Sequence, residues 1–399
     1  VISSSKKYNM PDTLKNNSNN ITNNITNSST ISEDVSYNKR QFWEYKRLYG
    51  GSIKTKKKEL SQNNNAKKTP TVFHLVNNKI ATDKDLVKRL SSIYIPPAYK
   101  DIVVAKSANN KIQAIGTDTR GRRQYVYNSN YTKKRNDRKY EDIMELAKKI
   151  GSIEIDNDKM LHEIIKKDLI NWQLPDDYIP IIVYMLRTYH FRIGNERYAN
   201  DNNSYGITTL RAEHIKWDVK KPNKFTIEFI GKKGILNRFT DDNPIIAKLM
   251  RKLIEGSKRK GHDGYLFKYT HEGVIHFITP EHIQSFFQDK YKAYITPKMF
   301  RTWYGNYHLL VCLRKMFNEG KLKPRLKQME KNAIITECSE HVSSKLNNTP
   351  TVSKQSYIDN KILELVMRNP YRFASNIPDD SEGQHQYLYK IILKLRHSK

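Results

Sequence analysis

The hydrophobic repeat of this chain changes period near Tyr140, so its two parts need different layers to bury their apolar residues. Upstream, Pro70-Thr71-Val72-Phe73, Ile102-Val103-Val104-Ala105, Ile112-Gln113-Ala114-Ile115-Gly116 and Gln124-Tyr125-Val126-Tyr127 are short β-branched or aromatic runs, parted by Asn, Gly, Asp and Lys clusters. Such runs make strands, with one short helix expected around Asp83 to Ser92. Downstream, Ile143, Leu146, Ala147 and Ile150 recur at helical spacing, and Leu161, Ile164, Ile165, Leu169 and residues 179–186 keep that character. The expected class is α+β: a small N-terminal β-rich domain over 39–140, a larger and mostly α-helical domain over 141–365, and a C-terminal extension over 366–399.

Within the helical part, Phe225-Thr226-Ile227-Glu228-Phe229-Ile230 alternates and runs into Gly231-Lys232-Lys233-Gly234, which reads as a β-hairpin with two lysines at its tip. Asn243-Pro244 and Thr296-Pro297 each place an N-cap before a proline at the first helical position. The second of these puts Lys298 and Arg301 on one face of a first turn. Ala333, Ile334, Cys338, Val342 and Leu346 form another amphipathic helix, which Asn347-Asn348-Thr349-Pro350 breaks. Residues 42–49, with Phe42, Trp43, Tyr45, Leu48 and Tyr49, are expected to cap the β-rich domain. Residues 1–38 are Asn-, Ser-, Thr- and Lys-rich with isolated Ile and Val, a composition expected to stay disordered, and Lys54 to Lys58 with Asn63–Asn65 form another solvated stretch.

With 71 Lys+Arg against 41 Asp+Glu, the net charge of +30 asks for a polyanionic partner. The basic residues run through the whole chain instead of clustering beside an amphipathic anchor, which favours nucleic acid over a membrane surface. No stretch approaches the roughly 20 apolar residues of a membrane span, and the first residues lack the apolar core of a signal peptide. Cys312 and Cys338 fall in apolar helix faces and are expected as buried free thiols, which fits a reducing, intracellular setting. The Asn-x-Ser/Thr matches near Asn20 and Asn24 then belong to a biased tract and not to glycosylation.

Several chemistries find no motif. There is no Gly-x-x-x-x-Gly-Lys-Ser/Thr loop for a nucleotide, and His162-Glu163 is followed by Lys166 where a zinc helix needs its second histidine. His271 and His276 are also wrongly spaced for a helical zinc pair. Acidic residues are too sparse near the basic motifs to hold a pair of magnesium ions. The remaining candidate is Tyr357, late in the chain after a small and polar run. A phenol is a poor nucleophile near neutral pH and needs cations around the group it attacks. Arg192 and Arg301 can supply them, since a guanidinium stays charged and donates two parallel bonds, and a lysine among arginines can have its pKa lowered enough to give up a proton.

Arg192 with Gly194, Lys232 after Gly231, Lys298 and Arg301 in Pro-Lys-Met-Phe-Arg-Thr-Trp, and Ser-Lys-Gln-Ser-Tyr357 come in the order and contexts of the type IB DNA topoisomerases. The chain resembles most the compact poxvirus, bacterial and giant-virus group. Ile95-Pro96-Pro97-Ala98-Tyr99-Lys100-Asp101 and Gly121-Arg122-Arg123-Gln124-Tyr125-Val126-Tyr127 resemble that group's N-terminal β-domain, and Thr208-Thr209-Leu210 with His214-Ile215 its catalytic core. The likeness spans roughly residues 70 to 360. It implies a clamp on double-stranded DNA in which Tyr357 attacks a backbone phosphate to give a 3′-phosphotyrosyl link, while Arg192 and Arg301 bind the nonbridging oxygens. Lys232 would protonate the 5′ oxygen with help from Lys298. The nicked strand swivels and is resealed, relaxing supercoils with no cofactor, neither ATP nor an obligatory metal. By the same resemblance Arg122, Gln124, Tyr125, Tyr127 and Tyr198 are expected to touch DNA, and the protein to act as a monomer.

One position departs from part of the family. Poxvirus and nuclear enzymes carry a histidine just before the Thr-Pro, whereas this chain has Asn348, as bacterial relatives do. An amide still donates a hydrogen bond to a phosphoryl oxygen but carries no proton in catalysis. His341 lies too far upstream to replace it and is expected on a helix surface. The alternative is a tyrosine recombinase, which shares the arginine-lysine-tyrosine chemistry. That class places a histidine near its second arginine, where this chain has Thr302-Trp303-Tyr304-Gly305. A non-catalytic architectural protein would use the charge alone. The Asn-, Lys- and Ile-rich bias fits an AT-rich genome and, with the motifs, a giant-virus source, which would place the protein in the virion and the host-cell replication compartment.

Overall fold

The computed structural model describes residues 39–49 and 72–397. The expected leader and the lysine- and asparagine-rich stretch after residue 50 lie outside the described residues, as do Pro70 and Thr71. The chain forms two compact units that divide between Arg135 and Asn136.

In the first unit, β1 (Phe42–Tyr49), β2 (Val72–Val76), β3 (Lys79–Ile80), β4 (Lys100–Ala105), β5 (Ile112–Thr117) and β6 (Arg123–Tyr127) form one six-stranded sheet in the order β3-β2-β1-β4-β5-β6. All its pairings are antiparallel. Residues 42–49 are therefore not a cap but an interior strand. Trp43 and Tyr45 point to the core at the two-residue period while Glu44 and Lys46 face out, a pattern the charged residues partly conceal. Helix α1 (Lys84–Ser92) starts where Asp83 accepts a bond from the Leu86 N–H at 2.7 Å, and it sets Leu90 into a small core with Tyr45, Ile93, Ile95, Val104 and Ala114.

Helix α2 (Ser129–Ile164) carries the chain into the second unit. It begins before the apolar repeat does, because its first turns are polar and exposed and leave no hydrophobic period to read. The elements that follow are α3 (Ile179–Thr188), α4 (Glu196–Asn202), β7 (Ile215–Trp217), β8 (Phe225–Ile230), β9 (Leu236–Asp241), α5 (Pro244–Ser257), β10 (Lys268–His271), β11 (Val274–Phe277) and α6 (Pro280–Tyr291). The chain then ends in α7 (Pro297–Asn318), α8 (Gln328–Leu346), α9 (Pro350–Ser356), α10 (Asn360–Arg368), α11 (Pro370–Ser375) and α12 (Ser381–His397).

Helix α3 is buried along nearly its whole length, and α7 packs across it. Both helix starts expected from Asn-Pro and Thr-Pro are present, and the Asn243 side chain accepts from the Ile245 and Ile246 N–H groups. The expected hairpin is β8–β9, to which β7 adds a third strand. Helices α7 and α8 pack side by side, with Cys312 Sγ and Cys338 Sγ 2.8 Å apart, both buried and unbridged. The extension after residue 365 is folded: α11 and α12 pack on α7. Among the described residues no helix is long and apolar enough to cross a membrane.

Candidate active site

The chain leaves α3 through Tyr189 and turns at His190, whose φ of 53° sends the backbone back beneath α7. The next residues carry Arg192. They are braced by main-chain bonds from Ile207 N–H to Arg192 O at 2.9 Å and from Thr208 N–H to Ile193 O at 2.7 Å. Gly194 and Gly206 permit this contact, since a Cβ on Gly206 would lie 2.5 Å from the Gly194 nitrogen. Thr208, singled out in the sequence, thus buttresses the segment that carries Arg192, while Thr209 Oγ1 accepts from the Gly206 N–H at 3.0 Å.

Arg301 enters from the first turns of α7 and is 3 % exposed. Its guanidinium donates to the His190 carbonyl through Nη1 and to the Leu346 carbonyl at 2.8 Å through Nη2. Nε lies 3.3 Å from the Tyr357 hydroxyl, and the guanidinium carbon is 5.0 Å from the centre of the Tyr357 ring. Burial pushes this arginine down to about 10, which still leaves it charged at neutral pH. Lys298, on the same turns, is exposed, so the shared face spans one buried and one solvated cation.

Asn348 follows α8, which ends at Asn347 in the left-handed region. Its Oδ1 accepts from Arg192 Nη2 at 2.6 Å. A guanidinium has only donors, so this bond fixes the amide with its NH2 group pointing away. That Nδ2 is buried and has no partner among the described residues, a donor left for the site.

Thr349 then caps α9 by accepting from the Val352 N–H at 3.3 Å, Pro350 takes the first helical position, and Tyr357 is the residue that closes the helix. Its carbonyl accepts from Asn306 Nδ2 at 3.0 Å, and the preceding Ser356 carbonyl accepts from Lys139 Nζ at 2.7 Å. Burial alone would raise the phenol pKa, but Arg301 and Arg192, with Lys298 behind them, outweigh it and bring the group down to about 8.

Lys232 sits at the tip of β8–β9, where Gly231 N–H donates to Ile235 O at 2.8 Å and Lys233 and Gly234 take positive φ to turn the chain. It is exposed by surface area. Loss of hydration first and the Arg192 charge second push its ammonium below the usual lysine range. Arg192, Arg301, Asn348 and Tyr357 are thus joined through direct contacts, and Lys232 and Lys298 act on them through charge. A dense ring of phosphate-seeking donors around a buried, acidified phenol can accept a phosphodiester and stabilise charge on its nonbridging oxygens.

The other expected contact residues belong to other elements. Tyr198 stands exposed on α4. Arg122, Gln124, Tyr125 and Tyr127 belong to the first unit, on or beside β6, an edge of its sheet. There Asp118 accepts from Arg122 Nη2 at 2.7 Å and from Gln124 Nε2 at 3.0 Å, and the Arg122 bond holds its carboxyl well below the usual range. Tyr125, Tyr127 and Tyr131 form a ladder with ring centres 6.5 and 5.6 Å apart, flanked by Arg135 over Tyr127 and Lys111 over Tyr131. Alternation on β6 puts the first two tyrosines on one face.

Sequence reasoning missed His190, Asn306 and Lys139, which act through main-chain contacts that leave no local motif. His341, expected on a helix surface, is half-buried on α8 beside His308, with ring centres 6.0 Å apart. His190 joins the same cluster through a 2.8 Å contact with His308, and burial brings it down to about 3, so its ring is neutral.

Comparison with known proteins adds to this geometry. The model of the eukaryotic DNA topoisomerase I catalytic core matches residues 128–370, and that of the bacterial DNA topoisomerase IB N-terminal domain matches residues 72–118. Tyr357 and the five residues around it fall inside the first match; Arg122, Gln124, Tyr125 and Tyr127 fall between the two. The chain is 30 % identical over 317 residues to the DNA topoisomerase 1B of Acanthamoeba polyphaga mimivirus, covering 77 % of this chain and 88 % of that one. It is 25 % identical over 298 residues to the DNA topoisomerase 1B of vaccinia virus strain Copenhagen, covering 72 % and 84 %, and 25 % identical over 280 residues to the DNA topoisomerase 1 of rabbit fibroma virus, covering 69 % and 80 %.

Proposed function

The chain belongs to the type IB DNA topoisomerases and not to the tyrosine recombinases, and from that premise we propose that Tyr357 is the nucleophile, with Arg192, Arg301, Asn348, Lys232 and Lys298 as its catalytic partners. The observation that carries this assignment is the Arg301 Nε placed 3.3 Å from the Tyr357 hydroxyl, on a phenol whose pKa is brought down to about 8. Having lost its proton to solvent, the Tyr357 oxygen attacks the scissile phosphorus. The bond to the 5′ oxygen breaks, and Lys232 Nζ hands that oxygen a proton. Arg192, Arg301 and the free Asn348 NH2 donate to the nonbridging oxygens, covering the charge that grows in the transition state. A 3′-phosphotyrosyl ester results, the free 5′ end rotates about the intact strand, and the returning 5′ hydroxyl gives its proton back to Lys232 as it displaces Tyr357. The ester keeps the energy of the broken phosphodiester, so no nucleotide needs to be hydrolysed, and guanidinium and amide donors do the neutralising work that elsewhere falls to a metal.

In the first unit, Arg122, Gln124, Tyr125 and Tyr127, together with Tyr198 of the second, are proposed to contact duplex DNA, the tyrosine ladder offering rings and its flanking cations offering charge to the backbone. The protein is proposed to act as a monomer inside the cell. If it is viral, as the mimivirus and poxvirus relatives suggest, it works in the virion and the host replication compartment. The test is a suicide duplex whose cleaved end diffuses away, incubated in EDTA. The parent protein is expected to form a covalent adduct that peptide mapping assigns to Tyr357. Y357F should bind the same duplex with unchanged salt sensitivity and form none. An adduct on another residue, or one formed by Y357F, would overturn the assignment.

A further inference from the structure

Tyr357 closes a helix of only seven residues, too short to hold itself, so the position of the phenol depends on what grips the chain on either side. Two residues on, Asp359 is fixed at three points. Its N–H donates to Asn306 Oδ1 at 2.8 Å, its Oδ1 caps α10 by accepting from the Lys361 N–H at 2.9 Å, and its Oδ2 accepts from Arg396 Nη2. Asn306 is the residue that also holds the Tyr357 carbonyl, so the contacts run without a break from Arg396 through Asp359 and Asn306 to the nucleophile.

Arg396 lies on α12, and its side chain is 6 % exposed against 3 % for Asp359. Its Nη1 also reaches Asp137 Oδ1 of α2 at 3.5 Å, and its guanidinium carbon stands 5.2 Å from the centre of the Tyr140 ring. Helix α2 carries Lys139 as well, which holds the Ser356 carbonyl on the other side of Tyr357. The nucleophile segment is therefore clasped between α2 and α12. Residues 371–399, and α12 with them, lie outside the catalytic-core match.

We propose that Arg396 is a positioning residue for Tyr357: by anchoring Asp359 it sets the register of the segment that aims the phenol at the scissile phosphate. A buried ion pair that served stability alone would be replaceable by well-packed apolar side chains. One that also fixes a reacting atom is not, because a displacement of about 1 Å at the reacting centre costs on the order of 10²-fold in rate.

The proposal rests on Tyr357 being the nucleophile, and the test keeps the two apart. The full-length protein carrying Arg396→Gln, Arg396→Lys or Asp359→Asn is assayed for single-turnover adduct formation across pH, for noncovalent duplex binding, and for melting. Arg314→Gln serves as control, since it cuts the Arg314 to Asp379 bridge that ties the same C-terminal segment to α7 away from Tyr357. R396Q is expected to bind DNA as the parent does but to cleave about 10²-fold more slowly. Its rising pH limb should move upward, as the phenol drifts from Arg301, Arg192, Lys298 and Lys232. R396K should recover part of the rate, and R314Q should melt earlier yet cleave at the parent rate. If R396Q fails to fold, D359N, which keeps a side-chain cap on α10, carries the same expectation. Folded R396Q or D359N that cleaves at the parent rate with an unmoved pH limb would overturn the proposal, whereas an adduct on Y357F would remove its premise instead.

Discussion

A phenol as buried as that of Tyr357, at 8 % exposure, should hold its proton more firmly than one in water, and the neighbouring guanidiniums reverse that sign. With a pKa of about 8, roughly one phenol in ten is ionised at pH 7, against about one in a thousand at the reference value. The second-order rate of cleavage by free enzyme is therefore expected to rise about tenfold per pH unit up to about pH 8 and then level off. At higher pH it should fall again as Lys232, whose ammonium is held below the ordinary lysine range, loses the proton it is proposed to donate. A quench-flow profile with a flat response between pH 6 and pH 8 would show that Tyr357 ionisation does not gate attack. The residues proposed for this mechanism were legible only through their motif contexts and order, since in a chain with 25 tyrosines and 71 Lys+Arg no single one stands out. His190, Asn306 and Lys139 were not, because any residue type can lie at their spacings and only the fold brings Asn306 to Tyr357, 51 positions away.

Between elements, a close constraint on the site is where α7 meets the end of α9. A Cβ built on Gly305 would lie 2.9 Å from both the Cβ and the carbonyl oxygen of Tyr357, and neither is the end of a flexible chain. Gly305→Ala must therefore move Tyr357 or the helix. Overpacking of this kind costs about 1–3 kcal/mol, and a shifted phenol would slow adduct formation by about 10²-fold while leaving duplex binding intact. Melting and single-turnover cleavage on one preparation check it: a parent cleavage rate would mean that the segment relaxes without cost to the site. In sequence, Gly305 reads as an ordinary small residue of an amphipathic helix, because the residue it makes room for is far along the chain. The helices starting at Asn243-Pro244 and Thr296-Pro297 were legible for the opposite reason, since a cap and a proline act within four residues. The interior strand β1 was misread because Glu44 and Lys46 break the apolar run, although they point outward from a sheet face that buries Tyr45.

For the molecule as a whole, a net charge of +30 was plain from composition, but it names a polyanion and not which cations meet it. Salt dependence supplies the missing count. Each duplex phosphate neutralised releases condensed counterion, so the logarithm of the binding constant falls with that of salt at about 0.9 per contact. A protein making about 6–10 phosphate contacts should lose about 10³–10⁵ in affinity between 50 and 200 mM salt. Y357F should show the same slope, since the phenol supplies no cation. Lys298→Ala, which removes an exposed charge beside Arg301, should reduce it by about one. Multiple-turnover relaxation should then pass through an optimum. At low salt each enzyme stays on one plasmid after it is relaxed and release limits turnover, while at high salt occupancy fails, although single-turnover cleavage by bound enzyme changes little. A binding slope near zero would instead mean that most of the chain's cations are engaged within the protein or face away from the duplex, and the charge would then serve solubility and not DNA binding.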